Sequence, residues 1–380
     1  MTSVLDRSGP PSPPSLQAEP APRVPRRRRP RDVRAEDIWV VLGSAASAIA
    51  IVWLLFDQFT ELSGIFGFLV CSVLAFLVIY WTVVFQLHGR LVANDRLLSV
   101  AVAIGTLILV VPLVLMLVFL VQKGWGLLSL HLFYKDMKGV APLSPPGSGG
   151  LAMAIVGTLE QVGLAVVWGV PAGIVTAVFL NEVRGRWTSA VRTVVTAMSG
   201  LPSIMAGVFV YSFWKLQFHH SFSGFAGSVA IAIMLLPSIT RTTEEVLKVV
   251  PGGLREASYA LGAPEWRTVW SVVLPTARTG MITAVVLGLA RAVGETAPLI
   301  FTIFGNNYLN WNPFVGPQSS LTLFLYQNYT SSHAAYVSLA FTDALVLVIL
   351  VLVLFTVTRI LGRANRKGRQ QRRTERMAGS

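Results

Sequence analysis

The sequence predicts an all-α polytopic membrane protein with about eight transmembrane helices. Three observations predict it. Of 380 residues, 53% are hydrophobic and only 13% are charged, with a mean hydropathy of +0.63; a water-soluble domain does not have this composition. The apolar residues gather into separate runs, each near the ~20 residues that a helix needs to cross a bilayer. Arginine and lysine concentrate between alternate runs, as they do when loop charge sets the direction of insertion.

Other classes are excluded on the same ground. The single cysteine, Cys71, lies within an apolar run, so neither a disulfide scaffold nor a cysteine metal site is expected. The formal net charge of +13 would suggest nucleic acid for a soluble chain. Here the charge sits at span ends and in the tails, and no nucleic-acid partner is expected.

Taken in order, residues 1–37 are rich in Pro, Ser and Arg, with the block Arg26-Arg27-Arg28-Arg29. They are expected to be a disordered basic cytoplasmic tail, not a cleaved leader, because no apolar run precedes them. Binding to anionic lipid or nucleic acid is the other reading of such a tail. Spans are expected at 38–56, 64–86, 97–121, 151–180, 190–214, 224–240, 280–304 and 335–361, followed by a basic cytoplasmic tail at 362–380. With the N-terminus inside, the inner segments carry Arg90 and Arg96, then Arg184, Arg186 and Arg192, then Lys248, Arg255, Arg267 and Arg278, then the tail from Arg359 to Arg376. The outer segments carry only Lys123, Lys135, Lys138 and Lys215. Both termini are therefore expected in the cytoplasm. Two outer segments are long. Residues 122–150 end in Pro145-Pro146-Gly147-Ser148-Gly149-Gly150, which reads as a flexible entry to the fourth span. Residues 306–333 are rich in Asn, Pro and aromatics.

The inner segment between the sixth and seventh spans is built as helix, stop, helix. Pro251-Gly252-Gly253 breaks what precedes it, and residues 256–261 are helix formers. Gly262 sits where a helix C-terminus favours a left-handed residue. Pro264 and Glu265 suit the first turn of a second helix. A rigid helix pair between two spans is a lever on which a soluble partner can push; an amphipathic helix lying on the bilayer has a similar composition. No Gly-x-x-x-x-Gly-Lys-Ser/Thr phosphate loop occurs, so the chain is not expected to hydrolyse ATP or hold a cofactor itself.

Charges inside spans are costly, about 2.5–3.5 kcal/mol each on insertion scales. Arg291 and Glu295 stand four apart in the seventh run, so they share a helical face and can pair. They read as an interhelical ion pair or as the polar wall of a pathway, and the pathway is the default for an intramembrane arginine. Arg241-Thr242-Thr243-Glu244-Glu245 closes the sixth run after Pro237. It is either a cytoplasmic cap or a segment that turns Arg241 inward. Two guanidiniums converging on one cavity would suit a small tetrahedral oxyanion. Glu160-Gln161 and Asp343 either line the path or pair between helices. His219 and His220 are adjacent and do not share a helical face. Trp53, Tyr80, Trp125 and Tyr211 read as interfacial belt residues.

The spacing Glu256-Ala257-Ser258, three residues, Gly262, nine residues, Val272, one residue, Leu274-Pro275 resembles the EAA loop of ABC importer permeases. That family has a second alanine where Ser258 stands and isoleucine at Val272. Arg241-Thr242-Thr243-Glu244, Pro202-Ser203-Ile204, Gly149-Gly150-Leu151 and Arg291-x-x-Gly294-Glu295-Thr296-Ala297-Pro298 add a narrower resemblance, over 97–361, to the A-type permease family of the bacterial phosphate-specific ABC importer. The resemblance implies an ABC type I importer core made by six of the eight spans, with a coupling loop at 241–278. It implies inorganic phosphate as substrate and a bacterial inner-membrane location. Implied partners are a C-type permease, an extracytoplasmic phosphate-binding protein and an ATPase dimer that holds ATP and Mg. It further implies pathway roles for Arg241, Arg291, Glu295, Glu244 and Thr296, and ATPase-coupling roles for Glu256, Ala257, Ser258, Gly262, Leu274 and Pro275. The chain departs from the six-span plan by two added spans at 38–96, by longer tails, and by lacking a proline near Leu321-Thr322-Leu323-Phe324. Three alternatives stand beside this reading: the same machine for another solute, a stand-alone secondary transporter or channel, and an intramembrane enzyme. The second predicts an internal repeat, which is not seen; no Ser/His, Cys/His or metal constellation supports the third.

Overall fold

The computed structural model describes residues 35–59, 64–141, 144–145, 147–183 and 185–378, with side chains described between 37 and 360. Of the basic tail expected at 1–37, residues 1–34 lie outside the described residues and 35–37 are helical, the start of a helix at Ala35; Arg184, Pro146 and the side chains of the C-terminal tail also lie outside. The described residues are helical, with one isolated bridge between Phe304 and Gln318.

The chain divides into two compact units, Met1–Pro112 and Leu113–Ser380. In the first, α1 (Ala35–Leu54) runs into a π-helical turn, Leu55–Phe59, and α2 (Ile65–His88) follows. α3 (Arg90–Gly124) begins in this unit and ends in the next. Arg96 pairs with Asp37 at 2.6 Å, and the Trp81 indole donates to Asn94 at 3.0 Å. Outside these contacts the unit exposes Ile, Leu, Val and Phe side chains, as helices solvated by lipid do.

The second unit contains α4 (His131–Tyr134), α5 (Ala152–Glu182), α6 (Arg186–Gly200), α7 (Ser203–Tyr211), α8 (Gly224–Lys248), α9 (Gly252–Ala260), α10 (Glu265–Thr268), α11 (Leu274–Gly294), α12 (Ala297–Thr302), α13 (Leu321–Tyr329) and α14 (Ala334–Ala378). α8 is the central helix: 61% of its apolar window is buried, against at most 33% for any other candidate span. It packs between α5 and α11 around Val162, Ile231, Leu235, Ile239 and Ala292. α5 and α8 touch closely because Gly169 and Gly173 face Leu235 and Ile239, and the Thr240 hydroxyl donates to the Gly173 carbonyl at 3.2 Å. Within a membrane such close contact replaces the hydrophobic drive that water would supply.

Seven described helices are long and apolar enough to cross a membrane, or eight if Arg186–Gly200 and Ser203–Gln217, bent by 101°, form one span. The expected continuous span at 190–214 is therefore broken. Pro202 lacks an N–H and disfavours the helical conformation at the residue before it; Leu201 is extended, at φ −71 and ψ 129. The expected span at 280–304 also changes. Its helix starts earlier, so that Glu265–Gly294 is one continuous rod through the π-helical turn Val269–Val273. It ends at Gly294, where Glu295 turns extended with ψ 124 and α12 starts afresh beside Pro298. Arg291 thus lies in the last turn of α11.

Gly149 and Gly150, expected as a flexible entry, are packed instead. A side chain on Gly150 would strike the Lys135 carbonyl, and Leu151 donates to the Leu132 carbonyl at 2.7 Å. The second long outer segment also folds inward: Gln318, Ser319 and Ser320 are each 1% exposed.

Candidate functional site

Two groups of residues bear on function. The first lies at the end of α11. The Arg291 Nε donates to Glu295 Oε1 at 3.2 Å; the arginine side chain is 58% exposed and the carboxylate 17%. Both border a shallow recess with Ile231, Met234, Leu235, Gly288 and Ala292. Thr296 follows at the N-cap of α12, where its carbonyl accepts from Leu299 at 3.1 Å. Arg241 is exposed and lies seven residues beyond Met234 on α8. That spacing is two turns, so the two residues share a face about 10 Å apart along the axis. By helix periodicity, Arg241 therefore falls on the same face of α8 as Met234, which borders the Arg291 recess. Glu244 is not with them. It is buried toward α6, accepting from Arg192 at 2.7 Å and Lys248 at 2.9 Å; Arg192 also reaches the Leu180 carbonyl of α5 at 3.3 Å. Arg192, held by this carboxylate, thus joins α5, α6 and α8.

The second group is the helix pair after α8. No residue of α9 is fully buried, and Glu256, Ala257 and Leu261 stand in the open, Leu261 at 89%. α9 ends in a Schellman motif: Gly262 donates to Tyr259 at 2.9 Å and Ala263 to Ser258 at 3.2 Å. Gly262 takes φ +76 with nothing within 4 Å of an added Cβ, so a side chain there meets backbone strain and no clash. Ser258 and Thr268 join the two arms by a 2.8 Å hydroxyl contact. Leu274 packs with Leu247, Val250 and Val273 at the base of α11, and Pro275 occupies the first turn of that helix.

From this geometry, Gly262→Asn is expected to keep most function, Gly262→Ala to lose some, and Gly262→Val to lose most. An L-residue in the left-handed region costs roughly 1–2 kcal/mol, asparagine least and β-branched residues most. Co-purification with each variant of the ATPase that the resemblance implies measures it; an order following side-chain volume alone would assign the effect to crowding.

Sequence reasoning missed what anchors the pair. Arg255 is half-buried at the foot of α9, and its guanidinium donates to Glu182 of α5 at 3.0 Å and to the carbonyls of Val250 at 3.0 Å and Leu247 at 3.3 Å. Arg255 was legible only as a cation on the inner side, and Glu182 only as the end of an apolar run. Glu160 and Gln161 both pair, with Gln318. Asp343 is fully buried in α14, and neither of its carboxyl oxygens has a hydrogen-bond partner.

The family profile described as "Binding-protein-dependent transport system inner membrane component" matches residues 169–367. The chain belongs to that family. The match takes in the α8–α11 face, Arg241, Arg291 and the whole of the α9–α10 pair, so both groups lie inside the family's domain. The "Phosphate transport system permease protein PstA 1" of Mycobacterium tuberculosis is 37% identical to this permease over 243 residues, 63% of this chain and 79% of that one. The PstA of Xylella fastidiosa is 38% identical over 64% and 83% of the two chains. The PstA of Haemophilus influenzae is 33% identical over 74% and 95%. The permease is thus a multi-pass inner-membrane component of an ABC importer, and its relatives are transport proteins and not enzymes.

Proposed function

We propose that this permease carries inorganic phosphate into the cytoplasm, and that the single observation carrying this is the half-open Arg291–Glu295 pair with Arg241 on the same side of the bundle. A guanidinium already held by one carboxylate keeps donors free on its fork, and a tetrahedral oxyanion can take them. The names of the relatives support phosphate over other oxyanions. In this reading Arg241, Arg291, Glu295 and Thr296 border the path. Glu244 holds the path's walls together. A C-type permease covers the exposed side of α8 and α11, and a phosphate-binding protein delivers from outside. The chain binds no cofactor; ATP and Mg sit on an ATPase dimer docked at Glu256, Ala257, Ser258 and Gly262, with Leu274 and Pro275 carrying the motion into α11. Both termini lie in the cytoplasm, as the loop cations require. Affinity along the path is weak, because a site that releases its ion must not hold it.

Reconstitution with the second permease, the ATPase and the binding protein in proteoliposomes tests this. Phosphate is expected to accumulate only with ATP, and excess sulfate is expected not to compete. Accumulation without ATP, or equal competition by sulfate, would overturn the reading.

A further inference from the structure

We propose that residues 317–322 form the outer gate of the pathway, latched shut by Gln318, and that α5 is the rod that releases it from the cytoplasmic side. This rests on the import reading above.

The segment enters the bundle as irregular chain, bridged at Gln318 to Phe304, and turns at its end into the first residues of α13. Its burial is specific: three neighbouring side chains of α5 hold it. Glu160 accepts from the Gln318 amide at 2.6 Å. Gln161, itself fully buried, donates to the Gln318 side chain at 3.2 Å and to the Ser319 carbonyl at 3.1 Å. Thr158 accepts from the Leu321 N–H at 2.8 Å. The other side of the segment touches the pathway, where the Thr322 hydroxyl donates to the Glu295 carbonyl at 3.1 Å. Room is made by glycine. Side chains on Gly157 and Gly224 would land on the Ser319 carbonyl and the Gln318 amide oxygen.

The closed seam is polar and incompletely satisfied. Gln161 Oε1 and Ser319 Oγ are buried without hydrogen-bond partners. A buried polar atom left unpaired costs free energy that water would restore. Opening the seam to water therefore recovers part of what the latch bonds lose.

α5 connects this seam to the opposite surface. From Gln161 to Glu182 it is continuous and spans about 32 Å. Glu182 is the residue that Arg255 of α9 holds. The helix that latches the gate is thus bonded, at its far end, to the helix that meets the ATPase.

The test uses the assembled importer in right-side-out vesicles, with Cys71→Ser as background and Ser319→Cys as probe for a membrane-impermeant maleimide. The Ser319 hydroxyl makes no hydrogen bond, so the thiol removes none. Labelling is expected to be slow at rest and about tenfold faster during ATP turnover, the factor that about 1.4 kcal/mol gives. Gln318→Ala is expected to make it fast at rest. Gly224→Ala is expected to do the same, because its methyl displaces only the Gln318 side-chain end and leaves the backbone alone. Arg255→Ala is expected to leave resting labelling slow and to abolish the ATP-driven rise. Equal labelling at rest and in turnover, or indifference to both Gln318→Ala and Gly224→Ala, would overturn the gate. Phosphate uptake in the same vesicles separates the two readings: uptake with flat labelling refutes the gate alone, and ATP-driven labelling without phosphate uptake keeps the gate and refutes the substrate.

Discussion

Replacing Arg291 by glutamine is expected to lower phosphate uptake about a hundredfold while the importer still assembles. Two effects add. The substituted amide offers no charge to an oxyanion, and hydrogen bonds to charged groups contribute about 1.5–3 kcal/mol. The Glu295 carboxylate, only 17% exposed, is then left without its partner beside the path. Arg291 is more than half exposed, so solvent screens this second loss to at most about 1 kcal/mol. About 3 kcal/mol corresponds to about a hundredfold. The double variant Arg291→Gln/Glu295→Gln separates the two effects. If the lost uptake comes from the orphaned carboxylate, neutralising it restores transport. If the guanidinium touches the ion, the double variant stays as poor as the single one. Uptake at the wild-type rate in Arg291→Gln would make the pair a structural clasp.

Arg255→Ala is expected to uncouple hydrolysis from transport almost completely. The guanidinium ties α9 to Glu182 of α5 and to two carbonyls at the end of α8. Its loss leaves α9 joined to the bundle by chain ends, by the Ser258–Thr268 contact and by packing on the turn Val269–Val273. ATPase docking is expected to survive, because the exposed residues 256, 257 and 261 are untouched. The measurement is the ratio of phosphate moved to ATP hydrolysed. Reversing the pair, with Arg255→Glu and Glu182→Arg together, is expected to recover part of the ratio, whereas either change alone is not. Failure of the reversed pair beside a normal ratio in Arg255→Ala would remove Arg255 from the transmission.

These two arginines mark where sequence suffices and where it does not. Helices, their apolar faces and the stop at Gly262 are local properties, set by run length, glycine conformation and proline, and they read directly. The Arg291–Glu295 pair was legible for the same reason, since a spacing of four is a contact within one helix. The break at Leu201-Pro202 was written in the chain, but the hydropathy of the run hid it. Arg255 and Glu182 are 73 residues apart, and Gln161 and Gln318 are 157 apart. Each contact depends on how two helices end up beside each other, and no local pattern encodes that. Glu244 illustrates the same limit: its neighbours in sequence place it beside Arg241, yet its partners are Arg192 from another helix and Lys248 one turn on.

The rod Glu265–Gly294 joins the exposed Trp266, beside the elbow at Gly262, to Arg291 some 38 Å further along. Torsion travels along a helix as well as thrust does. With side chains reaching about 5–6 Å from the axis, a twist of about 20° at the inner end carries the guanidinium sideways by about 2 Å. That displacement is measured against α8, whose Ile231, Met234 and Leu235 form the far side of the same recess. A small turn of the wrist at the cytoplasmic surface is enough to re-aim Arg291 across it.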